Sequence, residues 1–161
     1  MKDHSIQVKL FGLGGAGMNI VEAFAKESLM PVECRLLDTD AVATEAVRHG
    51  RVHLIGQDHC RGLGCGGDIA LAKKAIEGEQ NTIREWIDGA DVIIVVAALG
   101  GGVGSAFAQF LVNLAAQTSA ITLGFFVLPF SFEGTRFAHG EKLVGELRPD
   151  MHGLFSIPND H

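Results

Sequence analysis

Apolar positions fall into short continuous runs, separated by segments in which they recur every three or four residues. Val8-Lys9-Leu10-Phe11-Gly12-Leu13, Val32 to Leu37, Ala120 to Leu128 and, most strongly, Asp91 to Leu99 read as strands. Asn19 to Ser28, Ser105 to Thr118 and Thr135 to Leu147 carry helical spacing, and Leu154 to Ile157 reads as a last strand. Continuous rather than alternating apolar runs belong to strands covered on both faces, and strands alternating with helices pair in parallel. The pattern predicts an α/β fold: a doubly wound, mostly parallel sheet with helices on both faces. Arg48 to Gly67, rich in Gly and His, is the one long irregular segment, expected as loops near the carboxyl edge. No repeat or low-complexity linker divides the chain, so residues 1–161 read as a single domain.

Composition narrows the partners. The formal charge of −6 leaves no basic excess for phosphate backbones, which argues against a sequence-independent nucleic-acid binder. Lys73-Lys74 is the one adjacent basic pair and no apolar run nears the length of a membrane span, so no membrane insertion is expected. The start, Met1-Lys2-Asp3-His4-Ser5, leads straight into a strand and does not read as a secretory leader. Three cysteines, Cys34, Cys60 and Cys65, are an odd number without metal-like pairing and suit a reducing cytoplasm. His53, His59, Cys60 and Cys65 lack zinc-site spacing, so no metal site is assigned. The phenylalanines read as core, Trp86 as packing a helix against the sheet, and Cys65 as an inert small residue.

Ligands of open α/β sheets sit outside the carboxyl ends of the strands, so the loops after strands carry the chemistry. Gly12, Gly14 and Gly17 satisfy the G-x-G-x-x-G spacing, and Asp38 ends the second strand about 20 residues on, where a ribose-binding acid belongs. Alone, this loop reads as a site for a nicotinamide or flavin dinucleotide. A second loop, Gly100-Gly101-Gly102-Val103-Gly104-Ser105, follows another central strand and opens another helix. Helix-start N–H groups bind anions. Two such loops, with the cluster Gly62-Leu63-Gly64-Cys65-Gly66-Gly67, suit a nucleoside di- or triphosphate. No P-loop lysine motif and no G-x-S-x-G elbow is present.

These residues resemble the FtsZ/tubulin family of cytoskeletal GTPases, in its N-terminal, Rossmann-like GTP-binding domain, and bacterial FtsZ more than tubulin. Phe11 to Asn19 is similar to the first phosphate loop, Asp38-Thr39-Asp40-Ala41 to the Asn-Thr-Asp-Ala segment, and Arg61 to Gly66 to Arg-Gly-Leu-Gly-Ala-Gly. Gly100 to Ala106 resembles the signature G-G-G-T-G-[ST]-G, Pro129 to Gly134 resembles Pro-Phe-x-Phe-Glu-Gly, and Ile157-Pro158-Asn159-Asp160 the guanine-reading stretch. Six motifs in order cover essentially the whole chain. The resemblance implies GTP or GDP as ligand, with Mg2+ carried by the phosphates. It implies contacts from Gly14, Gly15, Ala16, Gly17, Met18 and Asn19 in the first loop, and from Asp40 and Gly66. Gly100, Gly101, Gly102, Val103, Gly104 and Ser105 would form the second loop, with Pro129 and Glu133 at the ribose and Asn159 at the base. It implies head-to-tail filaments with like or full-length subunits in cell division and septation, and hydrolysis only where a neighbouring subunit adds an acidic loop.

Several positions depart from the family pattern. Val103 replaces a threonine, Ala106 a glycine and Asp38 an asparagine, and Gly67-Asp68-Ile69 sets a carboxylate near the expected γ-phosphate. The family arginine falls at Phe137, and Arg136, one residue earlier, is expected to point about 100° away. Lost donors and added carboxylates oppose a polyphosphate, so weakened binding or turnover is expected. Since the given sequence ends at His161, the chain is expected to hold the nucleotide half-site without the catalytic half, and no catalytic residue is assigned. The strand Leu154 to Ile157 is then expected to be bare on one side. Three readings stay open: a filament-forming GTPase domain, a degenerate paralogue acting as filament partner, and an NAD-type oxidoreductase domain.

Overall fold

Val92-Ile93-Ile94-Val95-Val96-Ala97-Ala98 carries no polar side chain, and it forms the strand that meets protein on both faces. In the computed structural model, which describes residues 4–160, it is β4 (Val92–Ala98), at the centre of one sheet. The other strands are β1 (Val8–Leu13), β2 (Glu33–Asp38), β3 (Arg51–Leu54), β5 (Ile121–Leu128) and β6 (Gly153–Pro158). Their order is β3-β2-β1-β4-β5-β6, and every neighbouring pair is parallel. The helices are α1 (Gly14–Glu27), α2 (Ala41–Ala46), α3 (Gln57–Cys60), α4 (Ile69–Glu77), α5 (Gln80–Ile87), α6 (Gly102–Ala115) and α7 (Thr135–Leu147).

Register sorts the core into two layers. Phe11, Leu13, Val95, Ala97 and Phe126 join Ile76, Ile83, Phe107 and Leu147 in the larger cluster, under α4, α5, α6 and α7. Leu10, Leu36 and Val96 point the other way, onto Met18 and Val21 of α1. Fully burying a side chain such as Phe107 contributes about 1.5–3 kcal/mol. The α1 layer stops at β4. Beyond it Ile121 and Phe125 of β5 and Phe155 and Ile157 of β6 are exposed, with Phe125 and Phe155 stacked at 4.8 Å. The bare face expected at Leu154 to Ile157 is therefore present, and it extends onto β5.

Three expectations change. Arg48 to Gly67 is not all irregular, because it contains β3 and α3. β3 is a short edge strand whose Arg51 and His53 share a face with Arg35 and Leu37, so it offers no apolar run. Helix α1 starts at Gly14 rather than Asn19, and α6 at Gly102 rather than Ser105, so the glycine loops are themselves first helical turns. Helix α2, outside the apolar pattern, starts at its cap Asp40, whose Oδ1 accepts from Val42 N at 2.8 Å and Ala43 N at 3.2 Å. Met1 to Asp3, read for a targeting segment, and His161 lie outside the described residues.

Candidate functional site

From β1 the chain moves outward to β2 and β3, then returns to lay β4 on the other side of β1. Open parallel sheets bind ligands at such a reversal, beyond the carboxyl ends of the strands. A cavity of about 380 Å³ lies there, walled by the ends of β1, β2 and β4, by Leu63 to Gly66, and by Arg136 of α7.

Two helices begin at this cavity. Leu13 precedes α1 and Gly101 precedes α6, and neither helix start has a side-chain cap. The first-turn residues Gly14, Gly15, Ala16, Val103 and Gly104 line the cavity, so two sets of N–H donors and two positive dipole ends face one space. The two starts touch, since a methyl group at Gly14 would sit 3.2 Å from the Gly104 nitrogen.

The glycines divide by cause. A methyl at Gly17 would lie 2.5 Å from the Val96 oxygen, and one at Gly12 2.6 Å from the Gly17 oxygen. One at Gly104 would collide with the Ala98 oxygen. These three let α1 and α6 lie against the sheet. Gly100 is hemmed by Pro129, which is buried, and Gly102 takes a left-handed φ of +66° beside Gly67. Among the glycines of the three loops, nothing stands within 4 Å at Gly15, Gly66, Gly67 and Gly101, so these leave room for a ligand. Close packing thus explains more of the second loop than its run of glycines suggests.

The other sequence-derived positions separate as clearly. Ser105 is buried and clamps its own loop, its Oγ accepting from Gly100 N at 3.0 Å and Gly101 N at 3.1 Å. Those two amides are thereby engaged inside the protein. Met18, 2 % exposed, packs in the α1 layer, and Asn19 is exposed outside the cavity lining. Asp40 lines the cavity while capping α2. Asp68 instead caps α4 through Leu71 N at 3.1 Å and is outside the lining, so its carboxylate is turned to a helix start. Glu133 Oε1 accepts from Phe130 N at 2.9 Å, and Oε2 pairs with Arg136. Asn159 is exposed beyond β6, its backbone N–H on the Leu128 carbonyl at 3.2 Å, while Asp160 accepts from Ser131 N at 3.1 Å.

Arg136 keeps the expected rotation of about 100° from Phe137 and lines the cavity all the same. Phe137 packs against the larger core cluster, and that rotation carries its predecessor off the core and into the cavity wall. Asp38, 6 % exposed, also faces the cavity, and Thr39 N donates to its Oδ1 at 2.6 Å. Burial pushes its carboxyl up, with the Asp40 charge adding to the rise and the Thr39 and Asp40 backbone N–H groups opposing it. Leu63, Gly64 and Cys65 complete the wall.

A parallel sheet with this switch-point cavity is the architecture of a nucleotide-binding-type α/β domain. The family described as "Tubulin/FtsZ family, GTPase domain" matches residues 7–161, and the chain belongs to that family. FtsZ of M. jannaschii, solved as an empty dimer, superposes with a TM-score of 0.90 at 26 % identity, over 99 % of this chain and 47 % of that one. CetZ of Methanosaeta thermophila gives 0.78 at 22 % identity over 96 % of this chain and 46 % of that one. TubZ of bacteriophage PhiKZ, solved as a protofilament, gives 0.77 at 20 % over 97 % and 50 %. The last two speak for the fold alone. The chain spans about half the length of these structures, 46 to 50 %.

Proposed function

We propose that the chain binds GTP or GDP as the nucleotide-binding half-site of an FtsZ-like, filament-forming cell-division GTPase. The phosphates lie at the starts of α1 and α6, the ribose near Pro129 and Glu133, and guanine at Asn159. One observation carries the reading: two uncapped helix N-termini open onto one cavity at the β1–β4 reversal. One such terminus serves a pyrophosphate, and a second adds donors for a longer, more highly charged chain. Mg2+ arrives with the phosphates; among the described residues no group of three or more His, Cys, Asp or Glu is assembled for a metal. The lining carboxylates are engaged, Asp40 by α2 and Asp38 by the Thr39 amide, so we assign the water-activating group to a neighbouring subunit in a head-to-tail contact. A second reading, a filament partner that turns over no nucleotide, is favoured by Asp38, a buried carboxylate facing the phosphate position.

Paired glycine variants test the cavity. Gly15→Val projects into open space, so it should leave the melting midpoint within about 2 °C while weakening GDP binding by about tenfold or more. Gly104→Ala meets the Ala98 oxygen and should instead cost about 1–3 kcal/mol of stability. Calorimetry and thermal melting read both. A Gly15→Val chain that binds GDP like its parent removes this cavity from the reading.

A further inference from the structure

Cys60 and Cys65 form a thiol pair that the nucleotide reading leaves unused. Their Sγ atoms lie 2.9 Å apart, each residue is 5 % exposed, and Cys65 Sγ is 3.3 Å from Thr39 Oγ1. The local backbone brings them together. Helix α3 ends at Cys60, the chain turns left-handed at Arg61 and Gly62, and Leu63 N donates to the Cys60 carbonyl at 2.9 Å. Arg61, at φ 52°, is the one non-glycine residue with positive φ among the described residues. Such a conformation persists where its surroundings fix it. Cys34 is on the opposite face of the sheet, in the α1 layer, its Sγ directed at the Val32 carbonyl at 3.7 Å.

We propose that Cys60 and Cys65 form a reversible intrachain disulfide by exchange with a small-molecule disulfide of the glutathione class, which reaches Cys65 through the cavity. Cys65 is part of the cavity wall and is the entry thiol; Cys60, outside the lining, is the resolving thiol. The Cys65 thiolate attacks one sulfur of the disulfide RSSR, giving Cys65–S–S–R and RS⁻. Cys60 then gives up its proton and attacks Cys65 Sγ, releasing the second RS⁻. Two protein thiols are oxidised by two electrons, and one RSSR becomes two RSH once each thiolate takes up a proton. Closure from 2.9 Å to a bond of about 2.05 Å asks for less than one ångström of movement. Burial pushes the Cys65 thiol up, the Cys60 thiol and the Asp38 charge add to the rise, and the Thr39 hydroxyl opposes it; exchange therefore quickens as pH rises.

The bridge would close a ring around the segment that holds the β2 exit loop. Ala41 N donates to the Gly62 carbonyl at 2.9 Å, Gly64 N to the Thr39 carbonyl at 3.1 Å, and Asp40 and Leu63 pair as an isolated antiparallel bridge. Oxidation would fix the Asp40 side of the cavity.

The test incubates the reduced protein with oxidised glutathione at mildly alkaline pH, alkylates free thiols, and maps peptides without reduction. The expected product joins Cys60 to Cys65, lighter by two hydrogens, with Cys34 alkylated. The melting midpoint should rise by roughly 4–8 °C, and dithiothreitol should reverse the rise. Cys60→Ser should halt at the Cys65–glutathione mixed disulfide and show no such rise. The peptide map of the unsubstituted protein decides even where a serine variant folds poorly. The proposal is overturned if both thiols stay alkylatable under conditions that join them in urea. It is also overturned if each thiol carries its own glutathione, or if Cys60→Ser is stabilised equally.

Discussion

Asp38, 6 % exposed, ends β2 and lines the cavity onto which the α1 and α6 amides open. In the reading proposed above, it repels the phosphates that those amides attract. Burial raises its pKa, so its charge is lost at a higher pH than an ordinary aspartate's, and the repulsion fades as pH falls through that raised value. The same sign governs folding. The native state holds this proton more firmly, so the contribution to stability is present at low pH and lost as pH rises through the folded pKa. Asp38→Asn should tighten GDP binding by about tenfold at neutral pH and flatten the acid-side change in affinity. Titrations across pH check this, and an unchanged affinity with an unchanged pH profile would show that Asp38 does not face the phosphates.

The edge element β3 is held by a polar stack. Arg35 lies over Trp86 at 4.8 Å, His53 meets the same ring at 4.1 Å, and the Arg35 guanidinium is 3.0 Å from His53 Nε2. That geometry needs a neutral His53. Burial, with the Arg35 and Arg51 charges, lowers its pKa from 6.5 to about 4. Below 6.5 the unfolded chain takes up a proton that the folded chain refuses until about 4, so stability should fall as pH drops through this window. Trp86, the sole tryptophan, reports the melt, and His53→Asn should shallow that slope. An equal slope in the variant would contradict a neutral His53. The same stack explains why β3 escaped the apolar pattern: His53 is polar yet packed, and Arg51 is polar and exposed. Strands β1, β4 and β5 were legible because their apolar runs are continuous, and the glycine spacing marked the two strand-to-helix loops while leaving both helix starts late, at Asn19 and Ser105 instead of Gly14 and Gly102. What the pattern hid depends on tertiary partners. Gly104 is fixed by Ala98 rather than by a ligand, Ser105 by its own loop, and Arg136 by the core packing of Phe137.

Across the whole molecule, the two faces of the sheet are unequal. The β5–β6 side of the α1 layer exposes Ile121, Phe125, Phe155 and Ile157, a contiguous apolar patch of the kind that drives association. Sedimentation should show the 161-residue chain self-associating with concentration, and Phe155→Ser should reduce this; equal association of the two chains would exclude the patch. At the carboxyl edge, the cavity between α1 and α6 is proposed to take a guanine nucleotide, with Asn159 offering an amide donor and a carbonyl acceptor to the base. Calorimetric titration of this chain with GDP, ADP and NAD, repeated with Asn159→Ala, tests that claim most directly. GDP should bind more tightly than ADP and NAD, and the substitution should narrow the GDP–ADP gap. Equal affinity for GDP and ADP, or a preference for NAD, would contradict it.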